Sequence, residues 1–480
     1  MNRRMVLNTI GRIATTEAAL LLLPFVVSLL FGEREAWAFA VTAFVALFVG
    51  FLLVYLSKPD TKVIYAKEGF AIVAFAWLLM SAIGALPFYF SKSIPSYVDA
   101  FFETVSGFTT TGASILTDVE VLPKGMLFWR SFTHWVGGMG VLVFVMALIP
   151  NVADRSMNIM RAEMPGPVVG KLLPRARDTA KVLYIIYIFM TLLQIILLVA
   201  GGMPLFDGVV YSFGTAGTGG FGTKGDSVAG YTAYQQWVIT VFMLLFSVNF
   251  NLYYLILIKK FKAAFKSTEL WFFAGLVGVC IIAITTNTYN FYSDFSEAIR
   301  HSSFQVASIV STTGYSTVDF NTWPEFSKAL LLMLMLIGGC AGSTAGGLKV
   351  SRVVILLKSI CREFKKLLHP RSVKTLNMES KRLDENTLNG VNSYFAMYLI
   401  VFVVIYILIS LEPFDMQTNF TAVLACFNNV GPGLGAVGPA ANFSGYSDFA
   451  KLLLSVAMLL GRLEIFPLII GLNPMLWRRR

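Results

Sequence analysis

The sequence predicts an all-α polytopic membrane protein: ten transmembrane helices, two at the N-terminus followed by four repeats in pseudo-fourfold arrangement. Three observations lead there. Of the 480 residues, 56% are apolar and only 14% charged, with a mean hydropathy of +0.70, whereas a soluble domain carries about 25% charged residues. Apolar stretches long enough to cross a bilayer recur along the whole chain. Four Gly/Thr-rich turns recur among them in register. This composition excludes an ordinary soluble enzyme, and the 41 Phe exclude a disordered chain.

A spanning helix needs about 20 mostly apolar residues. Charge-free stretches of that kind occupy 36–57, 69–91, 131–153, 182–206, 227–258, 270–293, 329–348 and 386–411. Two interrupted stretches complete the ten: 13–32, which holds Glu17, and 447–475, which holds Arg462 and Glu464. The start MNRRMVLNTIGR lacks a small-residue cleavage pattern and reads as a retained first helix. The segmentation expected is 1–67 for the two N-terminal helices and 68–178, 179–266, 267–385 and 386–480 for the repeats.

Charge sets the orientation. Summed over alternate loops, 29 of the 38 Lys and Arg fall on one side, including ten in 349–382, while 15 of the 27 carboxylates fall on the other. By the positive-inside rule both termini are cytoplasmic and the outer face is acidic. The net charge of +11 therefore needs no nucleic acid to account for it. Cys280, Cys340, Cys361 and Cys426 have no paired spacing, so neither a disulfide framework nor a zinc site is expected.

Four outer loops carry apolar stretches too broken to span: GFTTTGAS (107–114), GTAGTGGFGT (214–223), STTGYST (311–317) and NNVGPGLG (428–435). Each follows an amphipathic stretch that begins near an acid (Asp99/Glu103, Asp207, Asp294/Glu297, Asp415) and precedes a long apolar run. Non-helical backbone survives at membrane depth only where it is buried or lines water. Four such turns around one axis would line a pore whose carbonyl and Thr oxygens replace the hydration shell of a monovalent cation. The alternative is four turns that merely pack re-entrant helices.

The run GGCAGSTAGG (338–347) interrupts a helix that would otherwise extend from about 326 to 360, since each interior glycine costs about 1 kcal/mol. An unwound segment at membrane depth is expected, with close helix packing as the alternative. Apart from Lys451 near the outer end of 447–475, Arg462 is the only basic residue inside a span, where an unpaired charge costs about 2.5 kcal/mol or more, so it is expected to face a polar path. Gly217, Gly219 and Gly222 match GxGxxG without the strand that a dinucleotide site requires, and GTGGFGTK has its lysine after the threonine, unlike a phosphate-binding loop. His134, His301 and His369 form no metal or catalytic motif.

On FETVSGFTTTGAS (102–114), HWVGGMGV (134–141), SFGTAGTGGFGTK (212–224), STTGYSTVDF (311–320), IGGCAGSTAGGLKVSR (337–352), NNVGPGLGAVGP (428–439) and GRLEIFP (461–467), the chain resembles the Trk/Ktr/HKT superfamily of potassium transporters. The resemblance is greatest to the TrkH-type pore subunits of bacterial Trk systems and covers essentially the whole chain. It implies four membrane-pore-membrane repeats after two N-terminal helices, a homodimer in the inner membrane with one pore per subunit, K⁺ as transported ion and no cofactor in the chain. The matching selectivity-filter positions are Thr110, Thr111 and Gly112; Thr218, Gly219 and Gly220; Thr312, Thr313 and Gly314; and Asn429, Val430 and Gly431. In plant relatives a serine at the first glycine goes with sodium transport, so Gly112 favours potassium.

By the same resemblance, Gly338, Gly339, Gly342, Ser343, Thr344, Gly346 and Gly347 belong to an intramembrane gating loop, and the basic 349–382 stretch docks TrkA-like regulatory subunits that bind NAD(H) or ATP/ADP. Arg462 is expected to hydrogen-bond that loop, with pairing to Glu464 or Glu17 as the alternative. Outer carboxylates such as Glu103 and Asp319 are weaker candidates for concentrating cations at the mouth. A channel-like uptake subunit is the first expectation; a secondary transporter coupled to protons or sodium, a symporter, is the second, with Glu17 and Glu464 as its embedded acids. An enzyme finds no nucleophile, base or metal cluster in the spans.

Overall fold

The computed structural model describes residues 2–58, 66–140, 176–369, 375–379 and 381–473. It is helical almost throughout, because apolar segments this long satisfy their backbone polar groups internally only as helices. Helices α1 (Arg3–Leu30) and α2 (Ala36–Leu56) form a hairpin. They cross at Gly11 and Gly50, where a Cβ on either would lie 2.8 Å from the carbonyl oxygen of the other, so the absence of side chains sets their closeness.

The remaining described helices fall into four successive groups, each in the order long helix, short helix, turn and long helix. The first repeat has α3 (Ala66–Gly84), a short α4 (Leu86–Phe90), α5 (Tyr97–Phe108) and α6 (Lys124–Gly138). The second has α7 (Ala176–Ala200), α8 (Leu205–Gly217), α9 (Ala233–Phe246) and α10 (Phe250–Leu257), trailed by α11 (Phe261–Phe265). The third has α12 (Thr268–Thr288), α13 (Phe295–Val310), α14 (Glu325–Ile337) and α15 (Val350–Leu368). A two-stranded antiparallel hairpin, β1 (Asn377–Met378) and β2 (Lys381–Arg382), precedes the fourth, which has α16 (Glu385–Ile409), α17 (Met416–Phe427), α18 (Asp448–Leu463) and α19 (Ile465–Leu472).

Two of the acids that mark the short helices, Asp294 and Asp415, work as caps. Asp294 accepts from the Glu297 amide at 2.7 Å and Asp415 from the Thr418 amide at 3.3 Å, and Ser96 serves α5 in the same way. Proline precedes α8, and Asp207 instead accepts hydrogen bonds from Thr223 and Tyr231 in the loop beyond the turn.

Among the described residues, six helical stretches are long and apolar enough to cross a membrane: 3–30, 36–56, 68–90, 178–200, 268–291 and 385–409. Two further candidates are bent pairs, α9 with α10 at 91° and α18 with α19 at 114°. The expected spans 227–258 and 447–475 are therefore not straight helices. The expected span 131–153 runs past Gly140 out of the described residues, and 329–348 is divided, since α14 stops at Ile337 and α15 starts at Val350. Phe44, Phe48 and Phe51 of α2, Ile185, Phe189 and Ile196 of α7, and Ile400, Val404 and Ile407 of α16 are all exposed, as on helices that meet lipid.

Candidate functional site

The four short helices end alike. Thr110, Thr218, Thr312 and Asn429 all adopt the left-handed conformation, with φ of 56°, 56°, 59° and 55°. The next amide in each repeat bonds back to the helix: Thr111 to Ser106 O, Gly219 to Gly214 O, Thr313 to Ser308 O and Val430 to Ala425 O, at 2.8–2.9 Å. These are the paired bonds of a left-handed helix cap. Three of the four cap residues carry a β-carbon branch that disfavours positive φ, so the surrounding packing imposes this backbone.

One residue further, Gly112, Gly220, Gly314 and Gly431 take φ of +82°, +83°, +83° and +98°. A Cβ on Gly112 would lie 2.0 Å from Gly219 O, on Gly220 2.1 Å from Thr313 O, on Gly314 2.2 Å from Val430 O, and on Gly431 2.8 Å from Thr111 O. Each glycine thus lies against the residue just before the glycine of the following repeat, and the fourth returns to the first. The twelve positions matched from sequence meet in one closed ring of backbone.

The ring has two different sides. On one, a cavity of about 140 Å³ is lined by all four glycines together with Phe221, Pro432 and Arg130. On the other lie the C-terminal ends of α5, α8, α13 and α17, whose partial negative charge favours a cation. The Thr110 hydroxyl and the Asn429 Oδ1, both buried there, have no protein hydrogen-bond partner.

The 338–347 segment lies against that second side. Gly346 donates its amide to Thr312 Oγ1 at 2.6 Å and Gly347 donates to Asn428 O at 3.0 Å. A Cβ on Gly346 would sit 2.3 Å from Asn428 O, and one on Gly338 2.3 Å from Gly346 O. The glycines let the segment fold on itself and touch the ring at once. It also meets the bend between α9 and α10: Cys340 donates to Ser247 O and Phe250 donates to Gly342 O, each at 3.0 Å. Thr344 bonds to Phe246 O through its hydroxyl, Ser343 bonds back to Cys340 O, and the Lys349 ammonium donates to Ala345 O. Gly339 packs on the Ala345 methyl.

Arg462 enters from α18. Its guanidinium donates to Thr344 O at 2.8 Å and to Gly137 O and Gly138 O at 2.6 Å each, tying the segment to the end of α6. The expected bond to the segment is therefore made. Glu464, at the bend after α18, instead pairs with Arg352 at 2.6 Å, and Arg352 also stacks over Tyr394. Both carboxylate oxygens of Glu17 are buried without a hydrogen bond.

Glu103 corrects an expectation. It is 1% exposed and holds Arg130 at 2.8 Å, while Ser114 and the Ile115 amide also donate to it, so it braces the first turn and offers the mouth no free charge. Arg130 in turn lies 4.0 Å from the Phe221 ring centre. Asp319 is exposed and caps the short turn at Phe320–Thr322. His134 is packed behind the ring, bonded to Gly107 O at 2.7 Å and tilted against Phe221. Sequence reasoning did not find the Glu103–Arg130 pair or the role of Glu269, which accepts from the Ala341 and Ser351 amides; such long-range partners leave no local pattern.

A family model described as a cation transport protein, TrkH, matches residues 36–478. The Trk system potassium uptake proteins TrkH of Salmonella typhimurium and of Escherichia coli K12 are each 37% identical to the chain over 486 residues, covering all of both chains. The crystal structure of the potassium transporter TrkH from Vibrio parahaemolyticus superimposes with a TM-score of 0.89 at 34% identity, again over both full chains. These relatives are named as transporters, not enzymes. The chain belongs to the TrkH family of cation transport proteins.

Proposed function

We propose that this chain takes up K⁺ through a pore within a single subunit, with the ring of Gly112, Gly220, Gly314 and Gly431 as selectivity filter. The closed ring of four backbone turns carries the reading. Successive carbonyls held by that backbone replace ion hydration, four helix C-termini favour a cation, and the cavity beside the ring is its outer vestibule. The full arrangement is ten spans in the bacterial inner membrane with both termini cytoplasmic, the repeats dividing near 68–178, 179–266, 267–385 and 386–480. The 338–347 segment is the gate, resting against the inner side of the filter and held by Arg462, whose charge opposes cations. Chains named as Trk system potassium uptake proteins support the ion assignment. A homodimer and TrkA-like nucleotide-binding subunits on the basic cytoplasmic face complete the assembly.

The purified chain in liposomes tests this by ⁸⁶Rb⁺ uptake under imposed K⁺, Na⁺ and pH gradients. Uptake that follows K⁺ and ignores the others supports a passive selective pore. Glu17 favours a second reading, cation movement coupled to protons or sodium, because it is a buried carboxyl with no hydrogen-bond partner. Uptake that tracks the proton or sodium gradient, and loses that dependence in Glu17→Gln, would establish it.

A further inference from the structure

The mechanism proposed above leaves the buried acid Glu269 unused. Glu269 lies in the first turn of α12, on the periphery of the 338–347 segment, and is 5% exposed. A carboxylate there would ordinarily serve its own helix N-terminus. Its Oε1 instead accepts from the Ala341 amide at 2.7 Å and the Ser351 amide at 3.0 Å. One of those amides lies inside the glycine run and the other at the start of α15. A single oxygen therefore spans the fold of the segment, and both bonds are to a charged acceptor, the stronger class.

The N-terminus of α12 is capped by Ser267, whose hydroxyl accepts from the Leu270 amide at 3.3 Å, and that cap is braced from elsewhere. Glu379, at the tip of the β1–β2 hairpin, accepts from Ser267 Oγ at 2.9 Å and from the Glu269 amide at 3.3 Å. The hairpin is itself seated: Met378 packs with Ile355 of α15 and Leu388 and Val391 of α16, and Lys358 donates to Asn377 O at 2.9 Å. A continuous line of contacts thus runs from a surface hairpin through Glu379, the start of α12 and Glu269 to the segment that touches the ring.

We infer that Glu269 is the positioning residue that pins the 338–347 segment in its resting place, and that the β1–β2 hairpin sets the strength of that hold through Glu379. Lifting the hairpin takes Glu379 away from the Ser267 hydroxyl and the Glu269 amide, loosens the first turn of α12 and withdraws the shared acceptor from Ala341 and Ser351. A regulator acting on the hairpin then reaches the gate without touching it. This rests on the gate reading above for its effect on flux, but not for its effect on the segment itself.

The test uses the full chain in liposomes, without any regulatory subunit, and two readouts. Hydrogen exchange of peptides covering 338–352 reports the hold directly, and ⁸⁶Rb⁺ flux reports its consequence. Glu269→Ala is expected to speed exchange in those peptides by about tenfold or more, the worth of one charged hydrogen bond, and to raise resting flux. Glu269→Gln, which keeps an acceptor at the same place, is expected to restore most of the protection. Glu379→Ala, at a half-buried position on the hairpin outside the core, is expected to change exchange in the same direction to a smaller extent. Unchanged exchange in Glu269→Ala overturns the pinning; unchanged exchange in Glu379→Ala overturns the hairpin's part. Faster exchange with unchanged flux upholds the positioning role and counts against the gate reading, which a chain lacking 342–346 checks separately through its own flux.

Discussion

On the proposed gate reading, Arg462→Ala should turn a closed pore into a leaky one. Among the described residues the guanidinium makes three hydrogen bonds to carbonyl oxygens, one to Thr344 in the segment and two to Gly137 and Gly138 at the end of α6. A hydrogen bond from a charged donor contributes about 1.5–3 kcal/mol. Only the bond to Thr344 differs between a resting and a displaced segment, because the α6 carbonyls belong to the surrounding wall. Losing it moves the equilibrium by the worth of one such bond, roughly 10- to 150-fold toward the displaced state. If that segment gates an ion path as proposed, removal of the positive charge beside it acts in the same direction. The assay is ⁸⁶Rb⁺ flux into liposomes holding the chain without regulatory subunits, alongside Arg462→Lys. Lysine keeps the charge but not the planar fork of donors, so its flux should fall between the two. Resting flux in Arg462→Ala equal to that of the parent chain would refute the reasoning, provided K⁺ still permeates the variant when it is activated.

Three further outcomes follow from the same geometry. Gly314→Ala places a methyl carbon 2.2 Å from Val430 O at a φ of +83°, so it should abolish ⁸⁶Rb⁺ uptake while the protein still inserts in the membrane, as size-exclusion chromatography after extraction would show. Glu103→Gln leaves the Arg130 charge buried without its counterion and should lower stability by about 3–5 kcal/mol, read as a fall in the thermal unfolding midpoint. Tyr398→Phe removes the hydroxyl that donates to Asn428 Oδ1 at 3.0 Å; a loss of about 1 kcal/mol in the fourth turn should weaken K⁺ over Na⁺ discrimination in competition uptake without stopping uptake.

The ring was legible in the sequence because its chemistry is local. A glycine forced to positive φ, preceded by a helix-ending pair of small or polar residues, leaves the same mark wherever it occurs, and it occurs at Gly112, Gly220, Gly314 and Gly431. The unwound 338–347 segment was legible for a similar reason, since few other arrangements tolerate so many glycines in one run. The bends were not. Ser247, Val248 and Asn249 sit in an unbroken apolar stretch, and α9 stops there because Ser247 O and the Phe250 amide are engaged by Cys340 and Gly342, nearly a hundred residues away in sequence. At Glu464 the break goes with an ion pair to Arg352. Glu103 was misread because exposure is a tertiary property: an acid in a short outer helix becomes a buried brace once Arg130 of the next helix lies beside it.

The ring is closed by four different stretches of one polypeptide, and heredity treats it accordingly. In an assembly of identical subunits every substitution is repeated at each position around the axis, so a change useful at one place is imposed at all. Here a mutation alters a single quadrant. Thr312 can specialise in receiving the Gly346 amide, Asn429 can reach Thr111 of the neighbouring quadrant with its side-chain amide, and Thr110 can keep its hydroxyl uncommitted. The quadrants share a backbone but differ in their side-chain contacts, and if the ring is the filter and the segment the gate, as proposed, a lineage can adjust what is admitted and when the path opens by separate mutational steps.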